Sequence, residues 1–214
     1  GASINGIFAG NFGDIGCFSF YPTKIITTSE GGMLVTSSRE MFEKANSFRN
    51  RGRDMQAKRE IYSRLGSNNR MTEIAALLGI SQMRFLDIFL EKRRNIANVY
   101  DEYIQLSDLS NLVKPINVPA DINHSYWRYL VTLDPLISRE FIKEELLKDQ
   151  IASDWAYYPP VHLQPYFIEN YKTFRGLCPV SEDILERNIC LPINPTMSQD
   201  DSLFVISRFI DAVK

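Results

Sequence analysis

Lys24 stands where a β-prone run ends. The stretch Gly16-Cys-Phe-Ser-Phe-Tyr21 meets Pro22, Thr23 and Lys24 follow, and then come the run Thr27-Thr28-Ser29 and the pair Gly31-Gly32. A lysine that forms a Schiff base must be held on a fixed backbone, desolvated enough to shed its proton, and close to an anchor for an anion. Phe18, Phe20 and Pro22 can supply a rigid apolar wall, and Ser19 offers a hydroxyl five residues before the lysine. The Thr/Ser run adds donors, and two glycines let backbone come close to a bound group. Without such company a loop lysine is simply a solvated charge, and spacing alone leaves that reading open.

The elements that must position these residues follow from the hydrophobic pattern. Residues 16–21 and 31–37 are predicted strands flanking the Pro22–Gly32 loop. In 39–51, Met41, Phe42, Ala45 and Phe48 alternate with charges as in an amphipathic helix, stopped by Gly52. Residues 53–69 are polar and predict a loop. A long helix starts near Thr72, with Ile74, Leu77, Leu78, Phe85, Ile88 and Phe89 on one face, and helical periodicity continues to about Gln105 through Ile96, Val99, Tyr100 and Tyr103. Gly79 lies inside it at a cost of about 1 kcal/mol relative to alanine, which a close helix contact would explain.

Beyond Pro115 and Pro119 the texture alternates between β and α. Strands are predicted for Ser125–Leu133, for Ile151–Tyr158 and for Asn188–Ile193, and helices for 138–149, for 181–187 and for the C-terminal segment. That last helix carries Leu203, Ile206, Phe209, Ile210 and Val213 on one face. Ser198 with Asp201 three residues on forms a capping box with Asp in the Glu position. A domain boundary is placed near residue 112, giving 1–112 and 113–214.

The bulk numbers exclude several classes. With 44% hydrophobic and 23% charged residues over 214 positions and a net charge of −2, the chain has an ordinary globular composition. That balance offers no electrostatic case for nucleic acid or an anionic membrane. Apolar runs are too short to span a bilayer. Cys17, Cys178 and Cys190 have no metal-ligand spacing and, being odd in number, form no disulfide framework. With only two histidines, no metal site is expected. The expected setting is cytoplasmic.

The segment "GDIGCFSFYPTKIITTSEGGMLVT" resembles the lysine segment of the DegT/DnrJ/EryC1/StrS sugar aminotransferases. "GSNNRMTEIAALLGISQM" resembles that family's Gly-x-Asn-x-Arg-Met-Thr-Glu-Ile motif, and "HSYWRYLVTL", "YYPPVHLQPYF" and "LPINPTMSQDD" resemble its C-terminal landmarks in the same order. The resemblance covers essentially the whole chain. It implies the α/β fold of the pyridoxal-phosphate-dependent transferases related to aspartate aminotransferase (fold type I). Residues 1–112 would be the C-terminal part of the large α/β/α domain with its linking helix, and 113–214 a small α+β domain.

Position by position, Lys24 matches the family lysine that carries pyridoxal phosphate, and Ser19 matches the serine contacting the cofactor phosphate. Asn68 matches an asparagine reaching the cofactor of the neighbouring subunit, which implies a homodimer. Arg70 matches the arginine for the amino donor's carboxylate, and His162 matches a histidine on the substrate side. Read from the residues alone, Asn68 is equally a turn residue before a helix, Arg70 a first-turn surface charge and His162 a loop histidine bonded to backbone.

The implied activity is transfer of an amino group from glutamate to a keto-sugar on a nucleoside diphosphate, for amino sugars of surface polysaccharides or secondary metabolites. Two rivals are weighed. Dehydratases within the family carry histidine at the lysine position, against which Lys24 stands. The other is a non-catalytic regulatory or assembly homologue, or an inactive fragment, of the same fold. Two departures are visible. Tyr157-Tyr158 replaces the His-Tyr of many members, and the family's Asp-x-Ala-x-x-His-Gly-Ala motif is present only as Gly1-Ala2. The resemblance therefore implies the C-terminal half of a longer enzyme. That half is expected to be inactive alone, and to occur with its N-terminal half bound or as a rearranged oligomer.

Overall fold

The computed structural model describes residues 1–154 and 157–214. In chain order its elements are β1 (Ser3–Ile4), β2 (Ile7–Phe8), β3 (Gly16–Ser19), β4 (Gly32–Val35), α1 (Arg39–Arg49), α2 (Glu73–Met83), α3 (Leu86–Leu106), β5 (Val113–Pro115), β6 (Ile122–Asn123) and β7 (Tyr129–Leu133). These are followed by α4 (Arg139–Lys148), a 3-10 turn (Val161–Leu163), α5 (Pro165–Tyr171), α6 (Pro179–Arg187), β8 (Asn188–Leu191) and α7 (Gln199–Val213). Two compact units emerge: Gly1–Leu90 with Pro119–Ser125, and Glu91–Val118 with Tyr126–Lys214.

In the first unit β1 pairs antiparallel with both β2 and β6. β3 and β4 form a two-stranded ladder in which Ser19 faces Gly32. α1 starts at Ser38, whose Oγ accepts the Met41 amide at 3.3 Å. Past its end the chain turns at Gly52 (φ +79), where any Cβ would lie 1.7 Å from the Arg64 carbonyl oxygen. α2 starts as the sequence predicts, with Thr72 Oγ1 accepting the Ala75 amide at 3.2 Å. The predicted apolar face is not a core face here. No residue of α2 is buried, and Ile74 and Leu77 are 83% and 67% exposed. A helix that is apolar all round belongs in an interior, yet among the described residues none covers these two. The long helix is also interrupted: Phe85 donates its amide to the Gln82 carbonyl at 3.0 Å, and Arg84–Phe85 form a turn before α3.

The second unit holds the buried core. β7 is the central strand, antiparallel to β5 on one side and to β8 on the other. Its burial alternates, with Tyr129, Val131 and Leu133 inward, as a half-covered strand requires. Against this face pack Ile96, Ala97, Tyr100 and Ile104 of α3, Ile142 and Leu146 of α4, and Val205, Ile206, Phe209 and Ile210 of α7. The expected capping box of α7 is present: Ser198 Oγ accepts the Asp201 amide at 3.1 Å, and Asp201 Oδ2 accepts the Ser198 amide at 2.8 Å.

The predicted strands come out shorter, and for two of them the diverting bonds are visible. Ser125–Leu133 pairs only from Tyr129, because the buried Arg93 guanidinium takes the carbonyl oxygens of Tyr126 (3.1 Å) and Trp127 (3.3 Å), together with that of Ile193 (2.9 Å). Tyr126 also has positive φ, which turns the chain out of the ladder. In Ile151–Tyr158, the Ile151 amide goes to the Leu146 carbonyl at the end of α4, and among the described residues of this segment Asp154 alone bridges to Cys190. Trp155 and Ala156, also assigned to that strand, lie outside the described residues.

Candidate active site

Lys24 closes a tight turn. Its amide donates to the Tyr21 carbonyl at 2.9 Å, with Pro22 in the second turn position, where its fixed φ favours the bend. The lysine is half-buried. The loop that carries it returns to Phe20, whose carbonyl oxygen accepts both the Thr28 amide (3.0 Å) and the Thr27 hydroxyl (2.9 Å). Ser19 lies at the exposed end of β3, and its Oγ accepts a long bond from the Tyr21 amide at 3.4 Å. That leaves the hydroxyl proton to donate outward.

The two glycines are required by space. A Cβ on Gly31 would come within 2.4 Å of Thr28 Oγ1, and one on Gly32 within 2.8 Å of the Phe18 carbonyl oxygen. Backbone without side chains therefore lines one wall of a cleft of about 610 Å³, formed by the Thr28–Gly32 loop, Asn69–Thr72 and the first turns of α2. Arg70 stands in this cleft, exposed, beside Ser29 and the glycines.

Arg70 and the glycine loop are thus brought together, with Ser19 joined to them through its pairing with Gly32. Asn68 is placed one step away. It is exposed and bridges to Asn50 at the end of α1, while its neighbour Asn69 lines the cleft.

His162 belongs to the second unit. Its Nε2 donates to Glu182 Oε1 at 2.8 Å, and its carbonyl accepts the Thr173 hydroxyl at 2.6 Å. Glu182 is buried and also accepts the amides of Gly176 (2.7 and 2.9 Å to its two oxygens) and Cys178 (3.3 Å). The sequence reading missed Glu182; an acid in the first turn of α6, twenty residues beyond the histidine, carries no local sign of that partnership.

The His162 hydrogen bond, with the two amides, holds the Glu182 carboxyl below the ordinary glutamate range. A depressed folded-state pKa contributes stability that is present above the unfolded value and lost as pH falls through the folded one. The acid limb of a melting-temperature profile of the chain should therefore flatten in Glu182→Gln. An unchanged acid limb would remove Glu182 from that balance.

A sequence model of the DegT/DnrJ/EryC1/StrS aminotransferase family matches residues 1–210. The chain belongs to this family. Among relatives, the GDP-perosamine synthase of Escherichia coli O157:H7 is 31% identical over 205 residues, covering 96% of this chain and 53% of that protein. A UDP-N-acetyl-3-dehydro-alpha-D-glucosamine 3-aminotransferase of Acidithiobacillus ferrooxidans is 34% identical over 202 residues, covering 94% and 51%. Among solved structures, the aminotransferase TlmJ from Streptoalloteichus hindustanus aligns with a TM-score of 0.86 at 27% identity, over 99% of this chain and 55% of its own.

The chain spans about half the length of the curated relatives it matches. Its mixed α/β architecture is that of the DegT/DnrJ/EryC1/StrS pyridoxal-phosphate transferases of fold type I. Among the described residues no helix is long and apolar enough to cross a membrane.

Proposed function

We propose that the full-length protein is a cytoplasmic, homodimeric aminotransferase that moves an amino group from glutamate to a keto-sugar carried on a nucleoside diphosphate. The observation that carries this reading is the Tyr21–Lys24 turn, in a loop whose Phe20 amide bonds to the Gly31 carbonyl, within a chain that matches the family over residues 1–210. In this reading residues 1–112 belong to the cofactor-binding domain and 113–214 to the small domain.

The residues present fit pyridoxal phosphate. The Thr28–Gly32 loop and Asn69–Thr72 line a cleft of about 610 Å³ with room for a small ligand. Ser19 presents an outward hydroxyl suited to a phosphate, and Lys24 supplies the amine. Bound there, the cofactor supplies an electron sink that stabilises negative charge on the donor's α-carbon. Lys24 would hold the cofactor and, released from it, would be the base that takes the proton from the donor's α-carbon. Ser19 would anchor the phosphate, Arg70 would bind the donor carboxylate, Asn68 would serve the cofactor of the neighbouring subunit, and His162 would serve the sugar.

The test is amination of a nucleotide-linked keto-sugar by the full-length protein with glutamate. One equivalent of 2-oxoglutarate should appear per aminated sugar. Sugar consumed by dehydration, without 2-oxoglutarate, would replace this reading with the dehydratase one.

Arg70→Ala should raise the KM for glutamate by roughly ten- to a hundredfold, since a charged bidentate contact is worth on the order of 1.5–3 kcal/mol. The KM for the nucleotide sugar should change little. The reverse pattern would reassign Arg70 to the sugar.

Asn68 provides the test of the dimer. In a two-fold dimer with sites shared across the interface, mixing Lys24→Ala and Asn68→Ala full-length proteins leaves roughly a quarter of all sites intact. Activity should rise above that of either variant alone. Its failure to do so would place Asn68 in its own subunit's site.

A further inference from the structure

We propose that Gln82, near the C-terminal end of α2, is a positioning residue that holds the Lys24 turn in place, with Gly79 as the seat on which the loop rests. This rests on the reading that Lys24 carries the chemistry.

The loop from Phe20 to Thr28 is closed on itself by the Phe20 carbonyl, and Lys24 sits at its turn. Two contacts fix the neck of that loop to α2. Gln82 Oε1 accepts the Thr27 amide at 2.9 Å across 55 residues of sequence. Three residues earlier on the same helix face, Gly79 lies so close to Thr28 that a Cβ there would be 2.9 Å from Thr28 Cγ2. Thr28 is itself buried, and its hydroxyl donates to the Glu30 carbonyl at 2.9 Å.

The Thr27 hydroxyl is committed to Phe20 and to the Ser29 amide, so the partner of the Thr27 amide is a side chain rather than a local carbonyl. Removing that acceptor leaves a half-buried N–H without its bond, and the neck then loosens or shifts. The amine needs its position more than the fold does: a displacement of about 1 Å at a reacting group costs on the order of a hundredfold in rate. The same helix begins directly after Arg70 and Met71. One rigid segment, about 15 Å long at 1.5 Å per residue, thus sets the donor arginine at its start and the tether of the lysine loop at its end.

The chemistry of the tether requires an acceptor oxygen at that reach. Gln82→Glu keeps one; Gln82→Leu keeps the bulk and removes it. In the full-length protein, Gln82→Leu should speed hydrogen exchange of the Thr27 and Thr28 amides at least about tenfold while leaving the core strand Tyr129–Leu133 protected. It should lower kcat by about ten- to a hundredfold with little change in the KM for glutamate. Gln82→Glu should restore both.

A second pair of variants approaches the same seat sterically. Gly79→Ala should loosen the loop, and Gly79→Ala combined with Thr28→Ser, which removes the opposing methyl but keeps the hydroxyl, should tighten it again. Unchanged exchange at Thr27 in Gln82→Leu, exchange that rises while kcat does not fall, or failure of Gln82→Glu to restore either readout would each overturn the proposal. Borohydride labelling of the unsubstituted protein separates the two levels. A label on a lysine other than Lys24 overturns the reading of the site, whatever the exchange data show about the tether.

Discussion

Lys24→Ala in the full-length protein should reduce turnover by about 10²–10⁴-fold or more and should abolish the covalent mark left on the Lys24 peptide by borohydride. A methyl group can neither hold the cofactor nor carry a proton between two carbon atoms. Both losses should fall on kcat, because Arg70, the residue proposed to bind the donor carboxylate, is untouched. The backbone of the turn should survive the substitution, since the bond from residue 24 to the Tyr21 carbonyl is made by the amide. The measurement is single-turnover reaction with glutamate, followed by reduction and peptide mapping. A label that persists on another lysine would sink the assignment.

Residues 1–214 produced alone should self-associate and show no glutamate-dependent amination. α2 is apolar on all sides and unburied, and Leu77 and Ile80 are among its exposed side chains. Fully burying each such side chain is worth about 1.5–3 kcal/mol, so a few of them meeting a second copy suffice for association at micromolar concentrations. Among the described residues β3 and β4 pair with each other alone, which adds open strand edges. Sedimentation should show oligomers, and Leu77→Lys with Ile80→Lys should shift them toward monomer. A monodisperse, active 214-residue monomer would refute both expectations.

How much of this was legible in the sequence depends on the range of the interactions involved. The starts of α2, α4 and α7 were readable because a Thr or Ser cap acts on amides within three residues of itself. A close helix contact was expected at Gly79 from the cost of glycine in a helix; the neighbour is instead the Thr28 methyl of the lysine loop. The strand ends at residues 125–128 and 151–153 were overcalled. The groups that divert them, Arg93 and the end of α4, act across the fold and leave no local pattern. At the site, the loop after β3 followed from Pro22, whereas the glycines, expected to make room for a bound group, are instead held by their closeness to Thr28 and the Phe18 carbonyl. Gln82 and Glu182 act through long-range hydrogen bonds and were invisible.

Arg93 has a consequence for how this chain tolerates change. The three oxygens it gathers belong to the main chain at Tyr126, Trp127 and Ile193, and every amino acid, proline included, presents the same carbonyl. Substitution at those three positions leaves the anchor's acceptors in place, whereas substitution at position 93 removes all three bonds together. The junction is thus written into one side chain on one side and into no side chain on the other, so its vulnerability to mutation is concentrated at a single codon.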